Sequence, residues 1–385
     1  METFYELTAE QAAIVDRAKK IAKDVIEKES AAADRDRKFP RAAMKALGEA
    51  GLLGLTLPKK LGGLEQGPRV FAAVVETIAR ACPSTGMVYV MHVCAANVVA
   101  GAPSQEKLAR DIAAGKHVTP LAFSEKGSRS HFWAPVSKEG AKNGKKTLSA
   151  EKSFVTSAGE ADSYVTSTLA ADAKDAVTST LWLVANGAKG VAVEGAFDGL
   201  GLRGNASAPM SLRDVEVADD ARLTEPGQGF GAMMSVVLPW FQVGSAACSV
   251  GIGEAAFAIT AAHLGKAKLE HMGAALNTLP NLRANVARMR IELDRSRAQL
   301  AYTARAMEKP GDHTMPAVLS AKAQAAEMSL VVTDLGMRSC GGAAFSKAMP
   351  LERFFRDARA SAVMAPTTDA LHDFLGKALL GLPLF

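Results

Sequence analysis

Three rhythms of apolar and polar positions follow one another along the chain. From Leu7 to about His117 the spacing is helical: Ile14, Ala18, Ile21 and Val25 step by four, three and four, which sets them on one face. A second helix is predicted from about Arg41 to Ala50, stopping at Gly51. Leu55-Thr-Leu-Pro-Lys-Lys-Leu-Gly-Gly-Leu64 holds two breakers and reads as a loop before a long helical run through Glu76 and Arg80. Pro83-Ser-Thr-Gly86 then interrupts, ahead of another apolar helix carrying His92. Near Val118 the rhythm changes to short alternating segments rich in Gly, Ser, Thr and Val, with turns such as Lys142-Asn-Gly144. Ser163 to Leu169, Leu181 to Ala185, Gly190 to Glu194 and Met210 to Val217 are predicted strands. From Gly227 the pattern is helical again, with Val286, Met289, Leu293 and Leu300 in one stripe and final helices around Ser320 to Arg338 and Asp369 to Leu380. This predicts an α+β chain with a helical domain over 1–118, a β domain of barrel or sandwich type over 119–222 and a helical bundle over 223–385.

Composition narrows the partners. The formal net charge is +5 and the basic residues are scattered. The densest run, Arg283 to Arg305, is interleaved with Glu292 and Asp294, so it reads as a solvated or subunit-facing helix side and not as a nucleic-acid stripe. Cys82, Cys94, Cys248 and Cys340 have no CxxC pairing, which predicts buried free thiols in a reducing compartment. The first residues lack a basic n-region and an apolar core, so no signal peptide is expected. No apolar run approaches the ~20 residues that span a bilayer, so no membrane partner and a cytoplasmic location are expected. No His and carboxylate share ligand spacing, and no metal is expected.

Candidate chemistry gathers near the end of the chain. Ser339-Cys-Gly-Gly342 opens a loop in which Gly341 and Gly342 let backbone approach a ligand closely. The basic stretch Arg353-Phe-Phe-Arg-Asp-Ala-Arg359 follows, then Pro366 breaks the chain and Thr367, Thr368 and Asp369 are positioned to cap a new helix. This order resembles the C-terminal signature of the acyl-CoA dehydrogenase family, Gly-Gly … Arg-Asp-Ala-Arg … Tyr-Glu-Gly-Thr. The Pro-x-x-x-Gly-Gly-Leu loop at 58–64, Glu151-Lys-Ser-Phe-Val-Thr-Ser-Ala-Gly159, Gly199-Leu-Gly-Leu-Arg-Gly204 and Gly227-Gln-Gly-Phe230 extend the resemblance over essentially the whole length.

The resemblance implies FAD, an acyl thioester substrate, and either an electron-transfer partner or oxygen as acceptor. It also implies a homodimer or homotetramer whose C-terminal domain is a four-helix bundle. Ala122-Phe-Ser-Glu-Lys-Gly-Ser128 stands where the family binds the flavin and the thioester arm, which points to Phe123 and Ser124 for the cofactor and to Ser128 and Arg129 for the substrate. Phe154 and Thr156, alternating along a strand, stand where the family flanks the isoalloxazine ring. Lys268, Arg338, Gly341, Gly342, Thr367 and Asp369 stand near or at positions that reach FAD, in part the partner subunit's pyrophosphate. For Asp369 a helix cap is the simpler role.

One departure decides the chemistry. The family removes an α-proton with a glutamate, kept at one of two positions. The first is Ala365 here, and the second is Phe241, beside Trp240 in an apolar wall that would meet the substrate. A relocated base has two candidates, His92, on a helix where monooxygenases of this fold class carry a histidine near the flavin, and His131; each has a structural role as its alternative. The expectations are therefore Cα–Cβ oxidation with a relocated base or, needing no glutamate, monooxygenation or β-elimination of the desulfinase type. A non-catalytic carrier-binding homologue is the third reading.

Overall fold

A computed structural model describes residues 2–128, 131–175 and 177–384. The chain starts with α1 (Glu2–Tyr5) and α2 (Ala9–Ile21), the latter opened by a capping box between Thr8 and Gln11. A π-helical turn over Ala22–Ile26 carries α2 into α3 (Glu27–Arg35). That turn shifts the buried register to Ile14, Ala18, Ala22 and Ile26, so the predicted face members Ile21 and Val25 are only half-buried. Next come α4 (Arg41–Glu49), α5 (Pro68–Ala81), α6 (Pro83–Ala100) and α7 (Glu106–Ala113). Pro83 does not interrupt for long. It is the first residue of α6, where its missing N–H costs nothing, and only Cys82 separates the two helices.

The middle of the chain forms two sheets. β1 (Leu121–Ala122), β4 (Ser163–Leu169) and β5 (Ser179–Ala185) make one, in the order β1-β4-β5. β2 (Glu139–Lys142), β3 (Lys145–Val155), β6 (Val191–Val193) and β7 (Ala208–Val217) make the other, antiparallel and ordered β2-β3-β7-β6. Leu148, Ala150, Met210 and Leu212 from one sheet and Ala122, Tyr164, Trp182 and Val184 from the other share one core, so the sheets pack face to face as a sandwich.

The rest is helical. After α8 (Gly229–Ala232) and a π-helical turn, α9 (Leu238–Lys266) leads through the hairpin β8 (Lys268–Leu269) and β9 (Ala274–Ala275) to α10 (Pro280–Glu308) and α11 (Thr314–Cys340). α12 (Gly342–Phe345), α13 (Leu351–Val363) and α14 (Thr368–Leu379) complete it. α9 packs against α5, α10, α11 and α13 and is the axis of the largest core. Gly251 lets α9 and α5 touch: a Cβ there would lie 2.6 Å from the Glu76 carbonyl.

Two sequence expectations fail here. The continuous helical run Gly229–Lys266 is long and apolar enough to cross a bilayer, but it is mostly buried inside the protein as this axis. The basic run on α10 is not wholly a solvated side either. Arg297 is 4% exposed and points inward, donating to Glu76 and Glu254. All four cysteines are buried free thiols.

Candidate active site

Where helices and sheets meet, a cavity of about 620 Å³ opens. Its walls come from α6 (Met87, Met91), the chain after β1 (Phe123, Ser124, Glu125), the end of β3 and the residue after it (Ser153–Thr156), the loop Phe197–Leu202, the π-helical turn before α9 (Val237), α9 (Phe241) and the end of α13 through Ala365. The lining is predominantly apolar with a few convergent polar groups, the usual make-up of a small-molecule site.

Phe154 is the exposed aromatic at this cavity, 71% accessible, with a left-handed φ of 52°. The expected even alternation with Thr156 does not occur. The β3–β7 register shifts between Lys152 and Val155, and this bulge turns Phe154 out while β3 ends at Val155. Both residues still line the cavity, with the Thr156 hydroxyl 3.1 Å from that of Ser207. Opposite, Phe123 is buried and stacks on Phe132 with ring centres 6.4 Å apart.

The turn after Phe123 is locked from behind. Lys152 is fully buried and donates to Glu125 at 2.6 Å and to the Ser167 carbonyl at 2.6 Å. Glu125 also accepts from the Val136 and Ser137 amides, each at 2.8 Å. Burial works against its charge, but the Lys152 ammonium and these donors outweigh it and hold its carboxyl below the usual range. Ser128, expected at the substrate, instead closes this turn, its hydroxyl donating to the Glu125 carbonyl at 3.1 Å, and it does not line the cavity. Arg129 lies outside the described residues.

Neither histidine faces the cavity. His92 is fully buried; its Nε2–H donates to the Leu53 carbonyl at 3.1 Å, and its Nδ1 accepts from the Thr119 amide at 3.2 Å. These partners fix a neutral tautomer, and burial pushes its pKa down to about 4. The side chain joins α6 to the chain on either side and has no nitrogen left for a ligand. His131 is exposed and stacks on Trp133 at 4.9 Å.

The two positions that separate this chain from its resemblance come together. Phe241, from α9, and Ala365, in the α13–α14 connection, line the same cavity. Trp240 stands behind the wall, edge-on to Phe71 at 5.4 Å. The other expected cofactor residues do not line the cavity of their own chain. Lys268 is exposed in the β8–β9 hairpin, and Arg338 lies 3.9 Å from Asp334 near the end of α11. Gly341 ends α11 with φ 59°, and no atom lies within 4 Å of a Cβ built there or on Gly342. Thr367 caps α14 by accepting from the Ala370 amide at 3.3 Å, leaving Asp369 in its first turn.

Sequence reasoning missed Met87, Met91, the loop Phe197–Leu202, Arg356 and Arg359. The two arginines sat in the quoted basic stretch, one helical turn apart, which was the available signal. Arg356 is committed, forking onto Asp34 at 2.8 and 2.7 Å and onto Glu352. The guanidinium of Arg359 lies 4.0 Å over the Phe355 ring.

An isoalloxazine-sized ring fits this slot: an outward-turned aromatic, the hydroxyls of Ser124 and Thr156, and the Asn205 Oδ1, which is buried without a hydrogen-bond partner, stand around it. The fit covers the ring half only, since the residues expected at the pyrophosphate lie elsewhere.

Family models for the acyl-CoA dehydrogenase N-terminal, middle and C-terminal domains match residues 8–115, 120–215 and 227–380. The bovine mitochondrial short-chain specific acyl-CoA dehydrogenase is 28% identical over 90% of this chain and 85% of its own. The 3-sulfinopropanoyl-CoA desulfinase of Paraburkholderia xenovorans is 26% identical over 98% of this chain and 97% of its own. Butyryl-CoA dehydrogenase from Megasphaera elsdenii superposes with a TM-score of 0.91 at 21% identity, covering 97% of this chain and 99% of that one. With the three domain models matched in order, this chain belongs to the acyl-CoA dehydrogenase family of flavin-dependent oxidoreductases.

Proposed function

We propose that this protein binds FAD and acts on an acyl thioester in the cavity by a reaction that does not begin with α-proton removal by a glutamate. The observation that carries this reading is the pairing of Phe241 with Ala365 on one cavity. Both positions at which the resemblance puts a base hold side chains that cannot accept a proton. Among the described lining residues the sole carboxylate is Glu125, whose oxygens are taken by Lys152, Ser137 and the Val136 amide. FAD, when bound, supplies a two-electron acceptor or, once reduced, a site for oxygen activation. Phe154 offers a flat face to a ring, Ser124 and Thr156 offer hydroxyls to its polar edge, and Val237, Phe241 and Met364 keep water from the reacting carbons.

The favoured reaction is cleavage of a carbon–sulfur bond on the acyl chain in which hydrogen replaces the sulfur group and no Cα–Cβ double bond forms. Desulfination, the activity for which one relative is named, breaks the bond to sulfur at carbon 3; with water as co-reactant it balances as R–SO2H + H2O → R–H + H2SO3, and the α-proton stays in place. Monooxygenation is supported by the same empty base positions. Cα–Cβ oxidation with a relocated base is less well supported, because His92 has both nitrogens engaged and His131 lies off the cavity. Lys268, Arg338, Gly341 and Gly342 suit a role at the FAD of a neighbouring subunit, in a homodimer or homotetramer.

The test is the visible spectrum of purified protein under anaerobic titration with saturated acyl-CoA thioesters. The expected wild-type result is a yellow protein that does not bleach, whereas Ala365→Glu bleaches at least ~100-fold faster, the scale of a positioned general base. Wild-type bleaching as fast as that of the variant would return the protein to dehydrogenation, and a colourless protein that takes up no FAD would end the reading.

A further inference from the structure

We propose that Lys322 is the positioning residue for the wall of the cavity that holds Ala365. Lys322 lies on α11 and is fully buried. Its ammonium donates to three carbonyls at the end of α13 and in the connection to α14: Ser361 at 3.0 Å, Met364 at 3.1 Å and Pro366 at 2.7 Å. Met364, one of those acceptors, and Ala365, between it and Pro366, both line the cavity.

The chemistry of this cluster is specific. An ammonium has three N–H donors, and here three backbone oxygens take them. The carbonyls of Ser361 and Met364 belong to the frayed end of α13, where helix carbonyls lack partners and carry the negative end of the dipole. Pro366 has no N–H of its own to offer the turn. A buried ammonium without a carboxylate beside it is costly, and an apolar side chain of the same length would avoid that cost. What the lysine adds is the fixed position of one piece of backbone. Burial pushes its pKa down to about 7. A lone lysine amid Ala321, Ala323, Ala325 and Ala326 on an apolar helix was the sequence signal.

Calling this wall the reacting one rests on the function proposed above; the positioning itself does not. The experiment therefore has two arms, on FAD-loaded wild type, Lys322→Met and Lys322→Gln, each with and without Ala365→Glu. The first arm is amide hydrogen exchange. Lys322→Met is expected to speed exchange in 362–367 about tenfold while the rest of α11 and the sheets stay unchanged. The second is anaerobic bleaching in the Ala365→Glu background, where kcat is expected to fall about tenfold with KM moving less than about threefold, as for a group displaced at the reacting atoms only. Lys322→Gln keeps one donor group, gives intermediate values, and serves if the methionine variant fails to fold. Unchanged exchange in 362–367, or a loss spread evenly over the chain, would overturn the proposal. If Ala365→Glu never bleaches, the functional reading fails while the exchange arm still decides the role of Lys322.

Discussion

His92 shows how one side chain passes from candidate to fixture. Its helix and its neighbours in sequence suggested a place near the cofactor, yet its two nitrogens bind backbone 39 and 27 residues away. Those partners require the neutral ring, and burial pushes the pKa from 6.5 down to about 4. Between these values the unfolded chain binds a proton that the folded chain refuses. Stability is therefore lost as the pH falls from 6.5 to about 4, by ~3 kcal/mol in total, and this group adds nothing above 6.5. Glutamine offers an NH2 donor group and an acceptor oxygen and does not titrate. His92→Gln should therefore flatten the acid limb of unfolding free energy against pH by up to ~3 kcal/mol, measured by urea unfolding at intervals between pH 7 and 4. Parallel limbs for the two proteins would rule out His92 as the titrating group.

At the scale of elements, the legible parts were those whose period is written locally. The strand expected over Ser163 to Leu169 is β4 residue for residue, and the helix expected from Asp369 to Leu380 is α14 shifted by one. What escaped depends on partners far along the chain. The bulge that turns Phe154 outward is set by pairing with β7, and the inward turn of Arg297 is set by Glu76 on α5. Within α10 that arginine is one basic residue among many, so spacing alone could not separate it from the solvated ones. The Tyr5 hydroxyl donates to the same Glu76 at 3.0 Å, and Glu254 on α9 completes a buried network across α1, α5, α9 and α10. Arg297→Met would strand the Glu76 carboxylate, which is fully buried, and should cost about 3 to 5 kcal/mol in urea unfolding. Adding Glu76→Leu should recover most of the loss, because two apolar side chains leave no uncompensated charge. A double variant as unstable as the single one would mean that packing, not charge, governs this junction.

For the whole molecule, the cavity exists only where the three parts of the chain close on one another, and Asp34 ties them. From α3 its carboxylate takes the fork of Arg356 on α13, while its backbone carbonyl accepts from Arg203, beyond the loop Phe197–Leu202, at 2.9 Å. Arg356 in turn donates to the Leu200 carbonyl at 3.0 Å, so the loop, the N-terminal helices and α13 share one knot on the cavity rim. The hydrogen bonds to Asp34, followed by those to Glu352, raise the Arg356 pKa, and its guanidinium stays charged at every working pH. Because the Asp34 and Arg356 side chains keep 17% and 19% of their accessibility, solvent screens the pair, and Asp34→Ala should cost about 1 to 2 kcal/mol. The larger effect belongs to the cavity. Without the Asp34 carboxylate, Arg356 keeps only Glu352 as its ionic partner, so its hold on the Leu200 carbonyl loosens while the helical core around α9 is untouched. Thermal unfolding followed at once by far-ultraviolet circular dichroism and by flavin fluorescence should give coincident transitions in wild type. In Asp34→Ala flavin release should come several degrees before the helices melt. Coincident transitions in the variant would mean that the cavity is held by the core alone and that Asp34 is one surface ion pair among many.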